Sequence, residues 1–441
     1  MVATLPGDQE RRVSRKSGRR SDPGQVRGWA KPSNESEYPH DLEHHHYQGG
    51  RGMRLNPLAA KGIDSPIDTA YALLDGRGRQ RALLDLAQAA PQYPPAPEVI
   101  EHVVAVARDR HGADYLEIAG LPRLREAFAA ELRGAYRGRV EADQVIVTAG
   151  CNQAFCLAVS ALAGHGDEVI VTLPFYFNHD MWLKLHGIAA RYLEPEPDLV
   201  PAPEAAEELI TARTRAILLV TPGNPTGVTI PPERIAAFAD LARRHDIALI
   251  IDETYRSFRG TDEPAHELFA DQEWTRTVVS LHSFSKDLAI PGYRVGAIVA
   301  ATDLGRQVSK LADCVAICAP RVGQEAAWAG LTMAAAWRRT KTEQIAVRRD
   351  WFTKVMAARP GGFELLSAGG FFGWVRHPFP DRPTDRVVRD LVVHHDLLVM
   401  PGTAFEPRDQ SMLRVSISNI DHAALDDFAE RLTAYGGAER Q

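Results

Sequence analysis

The chain has 441 residues, 45% of them hydrophobic, and a formal net charge of −6. Its length exceeds the roughly 250 to 300 residues at which a single core stops growing, so two domains are expected, and its charge balance excludes a nucleic-acid surface or an acidic tail, leaving small molecules as the expected partners. The four cysteines, Cys151, Cys156, Cys314 and Cys318, form no CxxC pair and no zinc-ligand spacing, which argues against a disulfide scaffold or structural zinc.

Residues 1–52 are rich in Gly, Arg, Ser, His and Asp without helical or strand periodicity, and are expected to be disordered because they cannot repay the entropy of ordering. The tract His44–His46 and the basic run Arg11–Arg20 are read as solvated tail rather than metal or nucleic-acid sites. Met53 opens "MRLNPLAAKGIDSPIDTAYALL", where helical patterning begins, which makes it an alternative translation start. No apolar signal region follows the basic start and no run of about 18 apolar residues offers a membrane span, so no membrane association is expected and the chain is read as cytoplasmic.

Beyond residue 95, helix-length segments alternate with short apolar runs: "QVIVTAG", "DEVIVTL", "RAILLVT", "IALIIDE", "RTVVSLHS" and "GAIVA". Uninterrupted apolar strands of this kind predict an α/β fold with a mainly parallel sheet covered on both faces. From about residue 320 the text turns to long helices and then to the shorter strands "GGFFGWV", "LLVMPG" and "LRVSIS", a smaller α+β domain. There are no internal repeats.

The polar residues fall where the apolar runs end. The first run leads into Cys151 and Asn152, the second into Pro174, Phe175 and Tyr176, the third into "TPGNPTG", the fourth into Asp252 and Tyr255, and the fifth into Ser283 and Lys286. Ligands of open α/β sheets lie outside the carboxyl ends of the strands, so these clusters are expected to converge. "TPGNPTG" is a turn that needs no further duty, yet its prolines would also hold the Asn224 amide in a fixed geometry. Asp252 follows an apolar run, and a buried carboxylate needs a cation or strong donors. Tyr255 can face the same space; Tyr176 is either core packing or a face for an aromatic cofactor. Ser283 and Arg294 suit a phosphate, which the amides of Cys151 and Asn152 and the positive end of their helix would also favour. Lys286 then lies between a phosphate site and an aspartate. A lysine desolvated among cations becomes a nucleophile for a carbonyl. Aldehyde, phosphate and aromatic ring together describe pyridoxal 5'-phosphate.

The stretch "SLHSFSKDLAIPGYRVG" resembles the lysine signature of the class I and II aminotransferases, fold type I of the pyridoxal phosphate enzymes, at Ser283, Phe284, Ser285, Lys286, Ala289, Ile290, Gly292, Arg294, Val295 and Gly296. The similarity continues through "DYLEIAGLPRLREAFA", "VTAGCNQAF", "NPTG", "DETY", "PGTAF" and "LRVSIS" in the family's order, from about residue 53 to the end. It implies a large domain over 96–320 with a mainly parallel seven-stranded sheet, and a small domain built from 53–95 and 321–441. It assigns Lys286 to the Schiff base, Asp252 to the pyridine nitrogen, and Asn224 and Tyr255 to the phenolic oxygen. Tyr176 would stack on the ring, while Ser283, Arg294 and the amides of Cys151 and Asn152 would hold the phosphate. Tyr115 would reach the phosphate of a neighbouring subunit, so a homodimer with shared sites is implied, and Arg414 would clamp the substrate α-carboxylate with help from Asn224. The implied reaction is ping-pong transfer of an amino group from an L-amino acid to a 2-oxo acid, with the freed lysine moving a proton from Cα to the cofactor carbon.

Two positions depart from the family's pattern. Ala89 or Ala90, in "QAAPQYPP", stands where relatives have a pocket-lining glycine, and Asn152 stands where an aspartate-type branch often has lysine. The first would narrow the pocket; the second argues against a dedicated aspartate or glutamate specificity, with glutamate still open as amino donor, and an aromatic or other neutral amino acid is the expected substrate. Two rivals are carried forward: another reaction on the same fold (β-elimination, decarboxylation or oxidation), and a non-catalytic effector-sensing domain. The second would need an N-terminal winged helix, for which residues 1–52 lack apolar periodicity.

Overall fold

The apolar runs form a sheet whose two faces are both covered. The computed structural model describes residues 53–438; the expectations for residues 1–52, including His44–His46 and Arg11–Arg20, lie outside the described residues. Seven strands, β1 (Val145–Thr148), β2 (Glu168–Thr172), β3 (Ala189–Leu193), β4 (Thr214–Val220), β5 (Ala248–Asp252), β6 (Val278–Ser283) and β7 (Gly296–Val299), are ordered β1-β7-β6-β5-β4-β2-β3. All neighbours are parallel except β7, which runs antiparallel to both β1 and β6.

Alternation along the strands explains the apolar runs. Ile217, Leu219, Leu249, Ile251 and Val278 pack on one face against the helices α2 (Pro122–Tyr136), α5 (Pro232–Arg244) and α7 (Arg321–Met333). Ala216, Leu218, Ile250, Val279 and Leu281 pack on the other against α3 (Cys151–Leu162) and α6 (Thr302–Ala316). A strand buried on both sides has no polar positions until it leaves the sheet. The remaining helices used below are α1 (Pro97–Arg108), α4 (Phe177–Leu185), α8 (Ala335–Met356), α9 (Thr384–His395) and α10 (His422–Ala438).

After α8 the chain forms β8 (Glu364–Gly369), β9 (Phe372–Arg376), β10 (Met400–Pro401) and β11 (Met412–Ser416), an antiparallel sheet ordered β10-β11-β9-β8. Its core draws Phe352 and Met356 from α8, Val387 and Leu391 from α9, and Phe428 and Leu432 from α10. Leu84 and Asp85 pair in parallel with Leu397 and Leu398 as a separate two-stranded sheet, and the Leu86 carbonyl accepts from the Ser416 amide of β11 at 2.8 Å, so the segment before α1 is tied to the C-terminal part of the chain. Strands β3 and β8 have no counterpart among the predicted strands. Both are edge strands with mostly half-buried side chains, so neither presents an unbroken apolar run. Among the described residues, no helix is long and apolar enough to cross a membrane.

Candidate active site

The polar clusters do converge. Cys151, Asn152, Tyr176, Asn224, Asp252, Tyr255, Ser283, Lys286 and Arg294 line one cavity of about 150 Å³ beyond the carboxyl ends of the parallel strands. They come from five strand ends: Cys151 and Asn152 follow β1, Tyr176 follows β2, Asn224 follows β4, Asp252 and Tyr255 belong to the end of β5, and Ser283, Lys286 and Arg294 to the end of β6.

One end of the cavity is built to attract an anion. Helix α3 opens at Cys151, and its first-turn amides have no intrahelical acceptor. The preceding Gly150 has φ of 91°, and a Cβ there would come within 2.5 Å of Nη2 of Arg294, so only glycine leaves room for that guanidinium. Arg294 is itself left-handed, φ 52°, and is steadied by the carbonyls of Pro291 (2.8 Å) and Ala149 (3.3 Å). Ser283 completes this end, its Oγ accepting from the amide of Ser285 at 3.2 Å.

The floor of the cavity carries a negative charge. Asp252, the last residue of β5, is 4% exposed. Its side chain points to the face covered by α3, the same face as Ile250 two residues earlier. The carboxylate accepts from the Thr254 amide at 2.9 Å and from the Cys151 thiol at 3.6 Å, and Nε2 of His179 lies 3.4 Å away. Burial pushes its pKa up, but His179 and the Thr254 donors outweigh burial and hold it below the usual carboxylate range. His179 was not singled out from sequence. It stands three residues after Tyr176, one turn into α4, and that spacing was the available signal.

Tyr176 caps α4, half-buried, with its hydroxyl 2.9 Å from Nδ2 of Asn178 and 3.4 Å from Oδ1 of Asn152. Tyr255 packs edge-on against Phe371 and Phe372, and burial pushes its phenol far above the ordinary range. Nζ of Lys286 lies 5.9 Å from the centre of the Tyr255 ring and donates to the Ala89 carbonyl at 2.6 Å. Burial, then the charges of Arg414 and Arg294, lower the lysine to about 8. Ala89 therefore reaches the site through its backbone oxygen.

Arg414, in the middle of β11, is 2% exposed. It donates through Nη1 to Oδ1 of Asn224 at 2.9 Å and through Nη2 to the Ala87 carbonyl, and its guanidinium lies between the rings of Phe372 and Phe405. Its Nε, though buried, has no partner. Burial pulls its pKa down to about 10. Arg414 and Ala89 are not among the residues lining the cavity but bond to Asn224 and Lys286, which are; Tyr115, 78% exposed, stays apart from it. Val220, Thr254 and Pro291 line it without having been singled out, and Ser285, named only as a position of the lysine signature, lines it too.

Residues 81–432 match the family model "Aminotransferase class I and II". The chain is 31% identical over 317 residues to an arginine–pyruvate transaminase of Pseudomonas aeruginosa, covering 69% of this chain and 77% of that protein. It is 28% identical over 359 residues to an aromatic aminotransferase of Arabidopsis thaliana, covering 79% and 88%. A single mutant of Thermus thermophilus aspartate aminotransferase superposes with a TM-score of 0.80 at 25% identity, over 87% of this chain and all of that one.

Proposed function

The chain belongs to the class I and II aminotransferases, and on that premise we propose that it carries an α-amino group between an L-amino acid and a 2-oxo acid by a ping-pong route, with pyridoxal 5'-phosphate attached at Lys286. One observation carries this reading: a single cavity holds a lysine lowered to about 8 between an ionised buried aspartate and an anion-attracting end. That donor set fits the cofactor. Its phosphate matches Ser283, Arg294 and the first amides of α3, and its ring nitrogen matches Asp252. When bound, the cofactor supplies a carbonyl carbon for amines and a protonated ring that draws electrons from the substrate Cα.

The protein's own residues supply the rest. Asp252, kept ionised by His179 and the Thr254 amide, holds a proton on the ring nitrogen. Lys286, with its lowered pKa, has free base available near neutrality and serves first as nucleophile and then as the base that takes the Cα proton. Arg414, with an unpartnered Nε in an apolar setting, has a donor to spare for the substrate α-carboxylate, and Asn224 orients it. In this reading Tyr255 and Asn224 would donate to the ring's phenolic oxygen and Tyr176 would cover the ring. We further assign the chain to a homodimer, since Tyr115 is too exposed to serve its own cavity. The uncharged Asn152 and the name of the Arabidopsis relative support an aromatic or other neutral substrate.

The test is an absorbance spectrum of the cofactor-loaded protein, followed by single amino acids and then 2-oxo acids. Transamination requires that an amino acid bleach the visible band and a 2-oxo acid restore it. Turnover without any 2-oxo acid would replace this reading with elimination, decarboxylation or oxidation.

A further inference from the structure

The segment 84–90 divides its carbonyls between two sets of partners. Those of Asp85 and Leu86 accept from Nδ2 of Asn419 at 3.2 Å and from the Ser416 amide at 2.8 Å, both in the C-terminal part of the chain. Those of Ala87 and Ala89 accept from two cations of the site, through Nη2 of Arg414 and Nζ of Lys286. The Asp85 side chain stands where the two sets meet. Its Oδ1 accepts from the Ala87 amide at 3.0 Å and its Oδ2 from the Tyr71 hydroxyl at 2.5 Å. Tyr71 belongs to a short helix, Pro66–Ala72, and burial and then the bond to Asp85 push its phenol above the ordinary range, so it remains a donor.

Ala87 is fully buried, and both its polar atoms are engaged: the amide with Asp85, the carbonyl with Arg414. An aspartate that accepts from the amide two residues on holds the backbone in a tight turn. A buried amide deprived of its acceptor costs free energy, and the chain turns to find another. The Ala87 carbonyl would move with it. For Arg414 that carbonyl matters because one hydrogen bond leaves a guanidinium free to swing, whereas two fix its plane. Asn224 supplies the first acceptor at 2.9 Å and Ala87 the second. The bonds thus run unbroken from Tyr71 through Asp85 and Ala87 to the guanidinium whose Nε has no partner.

We propose that Asp85 is a positioning residue for Arg414: held by Tyr71, it fixes Ala87, whose carbonyl sets the plane of the guanidinium that receives the substrate carboxylate. The inference rests on Arg414 as the carboxylate-binding arginine of the proposed reaction. It adds two residues, neither of them lining the cavity, to those that govern substrate binding.

The test is a double-mutant cycle on the full chain loaded with pyridoxal phosphate, read by steady-state kinetics with the amino acid that bleaches the visible band fastest, L-phenylalanine being tried first. Asp85→Ala is expected to raise KM about tenfold with kcat within about twofold, while the band persists. Asp85→Asn, which keeps an acceptor for the Ala87 amide, recovers most of that loss, and Tyr71→Phe raises KM about threefold. In an Arg414→Ala background, where no guanidinium is left to orient, Asp85→Ala changes kcat/KM by less than about twofold. A merely structural Asp85 would cost the same in both backgrounds, and that result, or no rise in KM in the otherwise wild-type chain, overturns the inference. If Asp85→Ala does not fold, Tyr71→Phe is carried through the same cycle, and an equal loss in both backgrounds overturns it. An unchanged KM in Arg414→Ala removes Arg414 and this inference with Lys286 left in place. A wild-type protein with no visible band removes this inference and the reading of Lys286 together.

Discussion

Arg414 Nη1 and Asn224 Oδ1 meet at 2.9 Å across 190 residues of sequence, joining the middle of the antiparallel sheet to the loop after β4. Together with the bond from Nη2 to the Ala87 carbonyl it takes two of the guanidinium's five donors and fixes its plane, leaving Nε and a second proton on each Nη. A substrate carboxylate bound there would be read by a rigid, planar fork rather than by a point charge.

Arg414→Lys is therefore expected to lower kcat/KM for amino acids by about 10²-fold, mainly through KM, because an ammonium cannot make the paired bonds. Steady-state kinetics check this, and a variant within about threefold of wild type would move the carboxylate site elsewhere.

Lys286→Ala is expected to abolish the visible band of the cofactor-loaded protein and to reduce turnover by about 10⁴-fold or more, since nucleophile and base are lost together. Absorbance and activity measured on one preparation decide the matter; a variant that keeps the band would disqualify Lys286.

Gly150→Ala should fold, because the atom its Cβ meets is the end of a flexible Arg294 side chain, but it places alanine at φ 91° and pushes the guanidinium aside. The expected costs are about 1–3 kcal/mol of stability and about tenfold weaker binding of pyridoxal phosphate. Thermal melts and absorbance titration measure the two separately.

Stability against acid should be lost in two windows. Burial pushes His282 down from 6.5 to about 4, so the unfolded chain takes up a proton that the folded one refuses, and stability falls as pH drops through that interval. Burial would raise Glu131, but Arg256 and Arg338 outweigh it and hold the carboxyl at about 2 against 4.5. Its contribution is complete above 4.5 and is lost as pH falls toward 2. Glu131→Gln should cost about 3–5 kcal/mol near neutrality and flatten the lower window while leaving the upper one. Urea melts across the acid range test this, and an unflattened lower window would remove Glu131 as its source.

The unbroken apolar runs determined by themselves that a covered parallel sheet would form, because a strand buried on both faces excludes polar side chains until it ends. The same rule put Asp252 and Ser283 at strand ends and Asn224 and Lys286 just past them, where the four gather in one cavity. The edge strands β3 and β8 escaped that rule, since half-buried side chains carry no clear period. The tertiary structure decided which groups meet across long separations: His179 with Asp252, the Ala89 carbonyl with Lys286, Arg338 with Asp287 and Arg414 with Asn224. Periodicity reports only which way a side chain faces its own backbone. The partner it finds there, and hence its charge state, depends on how helices and loops distant in sequence close over the sheet.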